Sequence, residues 1–357
     1  MTGLRIYEEK KKKSDRASKI TYVLAVAAGK GGVGKSTVAT CLSLALKNLG
    51  LKVGLLDADV YGPSLQQMLP EGLEPAEDQE NPETLLPAMT LGIPFISVAH
   101  FRKEASIVRA PIANGIIEQF LETVNWGELD VLVVDFPPGT GDIQLTLMQK
   151  GEISGAVVVT TPQEVALLDV RKAIQLFGEM SIPVVGVVEN MSYLVDEKTG
   201  ERFAPFGEGG GERLASEFSL PFLGQIPIDR SISRAGDEGK SLWDLAPESV
   251  GVAQFSSIGK QVWDSLEKLA NTGLQVRQKD PCHIEVGKGD RWVTVSGADL
   301  QAKCPCARCE GQTQSDKKEV SILEFSPVGR YAMRFGFSTG CNRGIYPFSL
   351  LEIWLEI

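Results

Sequence analysis

The sequence has few of the features that mark secreted, membrane-spanning or nucleic-acid-binding proteins. It contains 6 cysteines in 357 residues, most of them clustered, which argues against a secreted disulfide scaffold. No segment approaches the roughly 18 apolar residues that a membrane helix needs, and the N-terminus has no apolar core of the signal-peptide kind. The formal net charge is −10. We therefore expect neither a membrane nor a nucleic acid as partner.

What the sequence has is a long series of short apolar runs separated by helix-length segments. The runs are rich in Val, Leu and Ile, and they lie at residues 23–28, 52–56, 94–98, 130–135, 155–160, 183–188 and 222–226. A helical pattern over about 247–272 closes the series. Short apolar runs that alternate with helices indicate a parallel sheet covered on both faces. The predicted fold is therefore α/β, with a mainly parallel sheet between two layers of helices.

Composition divides the chain into four parts. Residues 1–20 form a polar tail, and residues 21–272 carry the alternating pattern. Within that pattern, the acidic stretch 71–84 contains two prolines and predicts a surface loop. Residues 273–281 are predicted to be a linker, and residues 282–357 a small β-rich domain. The strand candidates of the small domain are 283–286, 292–295, 321–325 and 331–337.

A glycine-rich segment after the first apolar run has the composition of a phosphate-binding loop. It reads Gly29-Lys30-Gly31-Gly32-Val33-Gly34-Lys35-Ser36-Thr37. Glycines let the backbone turn tightly and point successive N–H groups at an anion, and the helix that we expect to begin near Lys35 adds its positive N-terminal end. At this spacing Lys35 would reach the β- and γ-phosphates of a nucleotide, and the Ser36 hydroxyl would bind Mg²⁺.

Three aspartates follow predicted strands and are candidates for the metal end of such a site. Asp57 and Asp59 come at the end of the second apolar run, and Asp135 ends the run at 131–134. The carboxyl ends of parallel strands meet at one edge of the sheet, close to the loop, and Mg²⁺ prefers oxygen ligands. The competing interpretation is that these carboxylates cap strands or helices. Asp142 fits a helix N-cap as well as a place in the nucleotide site.

The loop resembles the deviant Walker A motif of ATPases such as MinD, ParA and the nitrogenase iron protein, and further segments narrow the resemblance to the Mrp/ApbC iron–sulfur carriers. Those segments are Leu56-Asp57-Ala58-Asp59-Val60-Tyr61-Gly62-Pro63-Ser64, Asp135-Phe136-Pro137-Pro138-Gly139-Thr140-Gly141-Asp142, Thr161-Pro162-Gln163-Glu164 and Glu189-Asn190-Met191-Ser192. From about residue 275 the chain resembles the small cysteine-bearing domain of plastid high-chlorophyll-fluorescence-type relatives. The resemblance implies a P-loop NTPase fold, a homodimer, ATP hydrolysis with Mg²⁺ and transfer of iron–sulfur clusters to apoproteins.

The resemblance also implies roles for individual residues. Lys30 would reach phosphates bound by the facing subunit, in the manner of an arginine finger. Asp59 would orient the attacking water, so that Lys30, Lys35 and Asp59 form the implied catalytic set. Asp57 and Asp135 would serve the outer shell of the metal.

Two further positions complete the implied nucleotide site. The segment at 137–142 resembles a switch loop, in which Gly139 lets the main chain approach the γ-phosphate and move after hydrolysis. The Asn190 amide would read the adenine edge, with a turn-forming Asn as the competing interpretation. The predicted nucleotide-binding set is Gly29, Lys30, Gly31, Gly32, Val33, Gly34, Lys35, Ser36, Thr37, Asp57, Asp135, Gly139 and Asn190.

Three cysteines lie close together in the segment Cys304-Pro305-Cys306-Ala307-Arg308-Cys309. Thiolates at this spacing suit a soft metal, and on spacing alone zinc and an iron–sulfur cluster fit about equally well. The resemblance favours a cluster, of the 4Fe–4S type, with Cys341 as the fourth ligand and Cys282 as the other candidate. His283 is interpreted as a surface or packing residue, and Cys41 as a buried apolar residue.

One departure from the family pattern bears on function. Mrp/ApbC proteins commonly carry Cys-x-x-Cys shortly after the Glu-Asn-Met-Ser segment, whereas this chain has no cysteine over Met191–Gly200. Cluster binding would then depend on the C-terminal cysteines. We predict an ATP-hydrolysing iron–sulfur carrier of a bacterial cytoplasm or a plastid stroma. The alternatives are a MinD/ParA-like positioning ATPase, which the acidic segment Leu350–Ile357 disfavours, and a regulatory adaptor that holds zinc.

Overall fold

The structure, a computed structural model, describes most of the chain. The described residues are 19–60, 62–70, 74–79, 81, 84–101, 110–180, 182–196, 198–270, 274–305, 309, 320–328, 332–341 and 344–356. One large sheet organises the residues up to 270, and two small sheets organise those from 274 onwards.

The strands up to residue 225 are short, and those of the large sheet are rich in buried β-branched residues. They are β1 (Lys19–Ala28), β2 (Val53–Asp57), β3 (Ala76–Glu77), β4 (Leu85–Leu86), β5 (Ala88–Thr90), β6 (Ile93–Ser97), β7 (Glu128–Asp135), β8 (Gly155–Thr160), β9 (Val184–Glu189), β10 (Leu194–Val195), β11 (Arg202–Phe203) and β12 (Phe222–Gln225). Eight of them form one sheet in the order β12-β9-β8-β1-β7-β2-β6-β5. Its neighbouring strands run parallel except the edge strand β5, which is antiparallel to β6.

Helices cover both faces of this sheet. Those described are α1 (Lys35–Asn48), α2 (Leu65–Met68), α3 (Ala110–Thr123), α4 (Asp142–Lys150), α5 (Glu164–Glu179), α6 (Gly210–Glu217), α7 (Arg230–Asp237), α8 (Leu242–Leu245) and α9 (Val250–Ala270). Helices α1 and α9 bury their apolar residues against one face. Helices α3 and α4 pack on the other face beneath β1, β2 and β7, and α5 and α6 pack on that same face beneath β8 and β9.

The C-terminal region has two three-stranded antiparallel sheets and its own apolar core. Its elements are β13 (Leu274–Asp280), β14 (His283–Lys288), β15 (Arg291–Ser296), α10 (Gly297–Ala302), β16 (Ile322–Val328), β17 (Ala332–Phe337), β18 (Gly344–Pro347) and α11 (Phe348–Glu356). Strands β13, β14 and β15 form one sheet, and β16, β17 and β18 form the other. The aromatic rings of Phe335, Phe337 and Tyr346 contact one another inside this core.

The predicted fold class is confirmed, and three boundaries need correction. Strand β1 begins at Lys19, inside the predicted tail 1–20. The stretch 71–84, predicted as a loop, contributes β3, which pairs with β4. The predicted linker 273–281 contains β13, which pairs with β14 along its length. Strand β13 resembles a linker in sequence because most of its side chains are exposed and polar, so pairing rather than hydrophobic patterning defines it.

No helix within the described residues is long and apolar enough to cross a membrane.

Candidate nucleotide site and thiol cluster

The glycine-rich loop connects the buried end of β1 to the first turn of α1, as the sequence predicts. Helix α1 begins at Lys35, directly after Gly34, which adopts a left-handed φ of 82°. A Cβ atom on Gly34 would lie 2.2 Å from Nδ2 of Asn190, so both the backbone angle and the space require glycine there. Gly29 is equally constrained, because a Cβ atom would lie 2.2 Å from the backbone carbon of Asp169 in α5.

The structure brings Lys35, Ser36 and Asp135 together at the mouth of the loop. The Lys35 ammonium lies 2.5 Å from Oδ1 of Asp135, and both side chains are buried. The Ser36 hydroxyl donates to Oδ2 of Asp135 at 2.6 Å, and Ser64 in turn donates to the Ser36 oxygen at 2.8 Å. One carboxylate therefore positions the cation predicted for phosphate and the hydroxyl predicted for Mg²⁺.

Three neighbouring strands end in a row of polar side chains beside this group. Asp57 on β2 lies in register with Asp135 on β7 and with Ser97 on β6. Ser97 donates to Oδ2 of Asp57 at 2.9 Å, and the backbone N–H of Asp59 donates to Oδ1 of Asp57 at 3.1 Å. Asp59 accepts from the backbone N–H of Gly62 at 3.1 Å. The carboxylates predicted to serve the metal thus share one edge of the sheet.

Burial raises the pKa values of two aspartates in this row, Asp57 and Asp135. It raises the pKa of Asp57 to about 7, and the charge of Asp135 adds to the rise, while the hydrogen bond from Ser97 opposes it. Burial also raises the pKa of Asp135, against the lowering effect of Lys35 and Ser36. The negative charge of nearby Asp59 acts in the raising direction on Asp135. A divalent cation at this edge would favour the ionised forms of Asp57 and Asp135.

Asn190 contacts the loop itself. Its Nδ2 donates to the carbonyl oxygen of Val33 at 2.8 Å, and its backbone N–H donates to Thr160 at 2.7 Å, which extends the pairing of β8 and β9. The side chain therefore fixes the loop from the β9 side. The adenine role that the sequence predicts for Asn190 stays a prediction.

The remaining predicted residues lie around the same opening. Lys30 is partly exposed, and no hydrogen bond or ion pair of its side chain is found within the described part of the chain. Gly139 adopts a left-handed φ of 88° in the segment between β7 and α4. Thr37 lies in the first turn of α1. The N-cap interpretation of Asp142 is wrong, because Gly141 is the cap and Asp142 is the first residue of α4.

Three serine and glutamine side chains of this site were not assigned by sequence reasoning. Ser64 and Ser97 hold Ser36 and Asp57, as described above. The buried Gln144 on α4 donates to the carbonyl oxygen of Pro137 at 2.6 Å and fixes the predicted switch loop to the helix behind it. Ser97 ends a strand at the same sheet edge as Asp57, so the rule that named the aspartates would also have found it. Nothing in the local sequence of Gln144 indicates its contact.

The C-terminal cysteines form a separate thiol cluster. The Sγ atom of Cys341 lies 3.7 Å from that of Cys304 and 3.5 Å from that of Cys309, and the three sulfurs lie within 4.8 Å of one another. Cys306, the remaining member of the predicted ligand set, lies outside the described residues. Tyr346 packs beneath the cluster and donates to the carbonyl oxygen of Leu300 at 2.7 Å; burial raises the pKa of this phenol, and the neighbouring thiol of Cys304 adds to the rise.

Cys41 and Cys282 do not belong to this thiol cluster. Cys41 is buried in α1, and burial raises the pKa of its thiol to about 12, which makes it a poor nucleophile and ligand. The Sγ atom of Cys282 lies 3.6 Å from the Ser321 hydroxyl and outside the group of three thiols. His283 pairs with Asp280 instead of a thiol.

Two family models match different parts of the chain. The family model described as "NUBPL iron-transfer P-loop NTPase" matches residues 19–263. A second model, "Gamma-butyrobetaine hydroxylase-like, N-terminal", matches residues 276–352.

Named relatives are similar over one or both parts. An iron-sulfur cluster carrier protein of Synechocystis is 43% identical over 261 residues, which are 71% of this chain and 74% of that protein. A chloroplastic Fe-S cluster assembly factor, HCF101, of Oryza sativa is 35% identical over 94% of this chain but only 65% of its own length. A solved nucleotide-binding protein from Archaeoglobus fulgidus, in complex with ADP, has 41% identity and a TM-score of 0.55, over 62% of this chain and 88% of that one.

Proposed function

The chain belongs to the NUBPL-type iron-transfer P-loop NTPase family, and from this premise we propose that it is an ATP-hydrolysing scaffold or carrier that passes iron–sulfur clusters to apoproteins. The observation that carries the proposal is that one chain combines a nucleotide loop, in which Asp135 holds Lys35 and Ser36, with a separate cluster of three thiols. We also propose that these two features belong to two domains that meet near residue 273, where the last helix of the large sheet gives way to β13.

The donor set of the first site suits Mg²⁺ and a nucleoside triphosphate. Ser36 offers a hydroxyl oxygen beside the carboxylates of Asp57 and Asp135, which is the oxygen-rich environment that Mg²⁺ prefers. Lys35 is placed to leave Asp135 and bind the β- and γ-phosphates. When bound, Mg²⁺ neutralises charge on the phosphates. Asp59, at the same edge, would orient the attacking water.

Lys30 supports a homodimer as the active form. Lys35 is buried and paired, whereas Lys30 is partly exposed and has no ion-pair partner within the described residues. A free cation at the start of a phosphate loop can serve a nucleotide bound by a second copy of the chain. Hydrolysis would then require association, so that nucleotide state and subunit contact are coupled.

The thiol cluster is the proposed place for the cargo. Cys304, Cys309 and Cys341 already converge, and Cys306 completes the proposed set of four ligands. Recipients would be apo iron–sulfur proteins, and the compartment a bacterial cytoplasm or a plastid stroma, in line with the Synechocystis and chloroplastic relatives.

A second candidate function is favoured by the spacing of the thiols. Four thiolates around one tetrahedral zinc ion lie about 3.8 Å apart, given a Zn–S distance of about 2.3 Å. The distances of 3.5 Å and 3.7 Å at Cys341 are close to this value. A cluster that gives each thiolate its own iron spreads the sulfurs further apart. The alternative is therefore an ATPase adaptor whose C-terminal region is held together by zinc.

Anaerobic purification separates the two candidates. Iron, zinc and sulfide are quantified per chain, before and after reconstitution with iron and sulfide, and visible absorption is recorded. The carrier predicts bound iron and sulfide whose absorption is lost in a Cys304→Ala/Cys309→Ala variant and kept in Cys41→Ala, since Cys41 is buried in α1. Zinc alone, at about one ion per chain, supports the adaptor. A colourless chain without metal after reconstitution overturns both.

A further inference from the structure

The hydroxyl of Thr161 is buried without a hydrogen-bond partner in the described part of the chain. The residue is 5% exposed and directly follows β8, and its Oγ1 atom is among the few buried polar atoms of the described residues that lack a partner. Buried hydroxyls normally find a partner, because leaving one unpaired is unfavourable. An unpaired buried hydroxyl beside a binding loop is therefore a candidate for a hydrogen bond to a ligand.

Strand alternation places Thr161 on the same face of the sheet as the loop. Val159 packs into the core shared with α1 and α9, and side chains alternate between faces along a strand. The neighbouring strand β9 follows the same rule, since Val188 packs into that core and Asn190, two residues later, bonds Val33 of the loop. Thr160 accepts the Asn190 N–H, so the pairing continues to the strand ends. Thr161 and Asn190 thus lie side by side, facing the loop.

Sheet order divides the site into two ends. The loop follows β1, which lies between β8 and β7 in the large sheet. On one side, β7 and β2 bring Asp135 and Asp57, the carboxylates of the proposed metal and phosphate end. On the other side, β8 and β9 bring Thr161 and Asn190, which are uncharged. A nucleotide with its phosphates in the loop and at the aspartates would have its nucleoside on the side of β8 and β9.

We propose that the Thr161 hydroxyl hydrogen-bonds the nucleoside part of the bound nucleotide and contributes to its affinity and selectivity. This inference rests on the proposed binding of ATP. A hydroxyl can donate and accept, so its partner is a polar atom of the base edge or of the ribose. Its contact lies away from the transferred phosphoryl group, and its loss should raise KM while kcat is kept.

Thr90 provides a matched control. It is 2% exposed, and its hydroxyl also lacks a partner among the described residues. It lies on β5, at the far edge of the sheet from β8. Replacing either threonine by valine removes a buried unpaired hydroxyl at nearly constant shape. Both variants should therefore keep or gain thermal stability, and only Thr161→Val should affect nucleotide binding.

The experiment measures binding of Mg·ADP by calorimetry to the full chain and to Thr161→Val, Thr161→Ser and Thr90→Val, and then the KM and kcat for ATP, dATP and GTP. We expect Thr161→Val to weaken binding by roughly 2- to 12-fold, Thr161→Ser to restore it, and Thr90→Val to bind like the wild type. A defect that disappears with dATP assigns the contact to the 2′-hydroxyl of the ribose, which dATP lacks. A defect that is kept with dATP but absent with GTP assigns it to the base.

Wild-type affinity in Thr161→Val, or equal losses in Thr161→Val and Thr90→Val, overturns the inference and leaves the proposed ATPase intact. Failure of the wild-type chain to bind Mg·ADP overturns the proposed function, and the inference with it. Should Thr161→Val not fold, Thr161→Ala compared with Thr161→Ser gives the same decision, because only serine keeps the hydroxyl.

Discussion

The Lys35 ammonium and the Asp135 carboxylate form a direct ion pair at 2.5 Å, and both groups are buried. The residues are 100 positions apart in sequence, yet they lie at the ends of adjacent elements, because β1 and β7 are neighbours in the sheet. The pair keeps the lysine inside the protein and aimed at the loop. A nucleotide that takes over this lysine must therefore compete with a carboxylate, which ties phosphate binding to the edge that carries the aspartates.

Asp135→Asn should strongly destabilise the chain. The substitution leaves the buried Lys35 without its counter-charge, and breaking a buried pair in this way costs about 3–5 kcal/mol. The measurement is urea unfolding at neutral pH. Glu217→Gln is the control, because it breaks the more exposed pair with Arg171 and should leave the free energy of unfolding nearly unchanged. Equal and small effects of the two substitutions would contradict a buried, charged pair.

Asp57 should make stability fall as pH rises. Its pKa is raised from 3.8 to about 7 in the folded chain, so the folded state binds more protons than the unfolded state between these values. Stability is then fullest below about pH 4 and decreases up to about pH 7, by at most about 4 kcal/mol.

The test of this pH dependence is chemical unfolding at about pH 5.5, about pH 7 and about pH 8 for wild type and Asp57→Asn. The substitution should flatten the slope. Asp196→Asn is the control. Backbone N–H donors lower the pKa of Asp196, so removing its carboxylate cannot reduce the fall of stability between about pH 5.5 and about pH 8. An unchanged slope in Asp57→Asn would show that Asp57 is ionised throughout.

Lys30→Ala should reduce ATP turnover by about 1,000-fold, because it removes the cation proposed to act on the phosphates bound by the second subunit. Stability should change little, because the Lys30 side chain has no partner among the described residues to lose. Turnover per wild-type chain should also rise with protein concentration, as a shared active site requires. Lys52→Ala is the control: Lys52 is exposed and pairs with Glu128 at the opposite ends of the strands. Full activity of Lys30→Ala would remove the argument for a shared site.

Metal removal should loosen the C-terminal region and spare the large sheet. Cys304 follows α10 and Cys341 lies between β17 and β18, and both belong to the core of this region, so a metal held by these thiols would connect α10 with β17 and β18. Hydrogen–deuterium exchange after chelation should rise by about tenfold or more in peptides covering these elements and stay constant in β7 and β8. Chelation should have no further effect on Cys304→Ala; an effect of the same size there would place the metal elsewhere.

Much of the fold was predictable because buried parallel strands leave a direct trace in sequence. Strand β8 is predicted at its observed bounds, 155–160, since all six of its residues are buried and three of them are Val. Strand β13 was not found, because it is polar and mostly exposed. Strands β10 and β11 have two residues each, too few for any periodicity to be visible.

The sequence by itself determined the glycine-rich loop, the start of α1 at Lys35 and the aspartates that follow β2 and β7, because backbone turns and strand ends are local properties. The tertiary structure alone decided which side chains meet: Asp135 with Lys35, Ser64 with Ser36, Asn190 with Val33. These contacts depend on the order of strands in the sheet, which brings distant segments to one edge. Local sequence carries no record of that order, so the partners became visible only once the sheet was assembled.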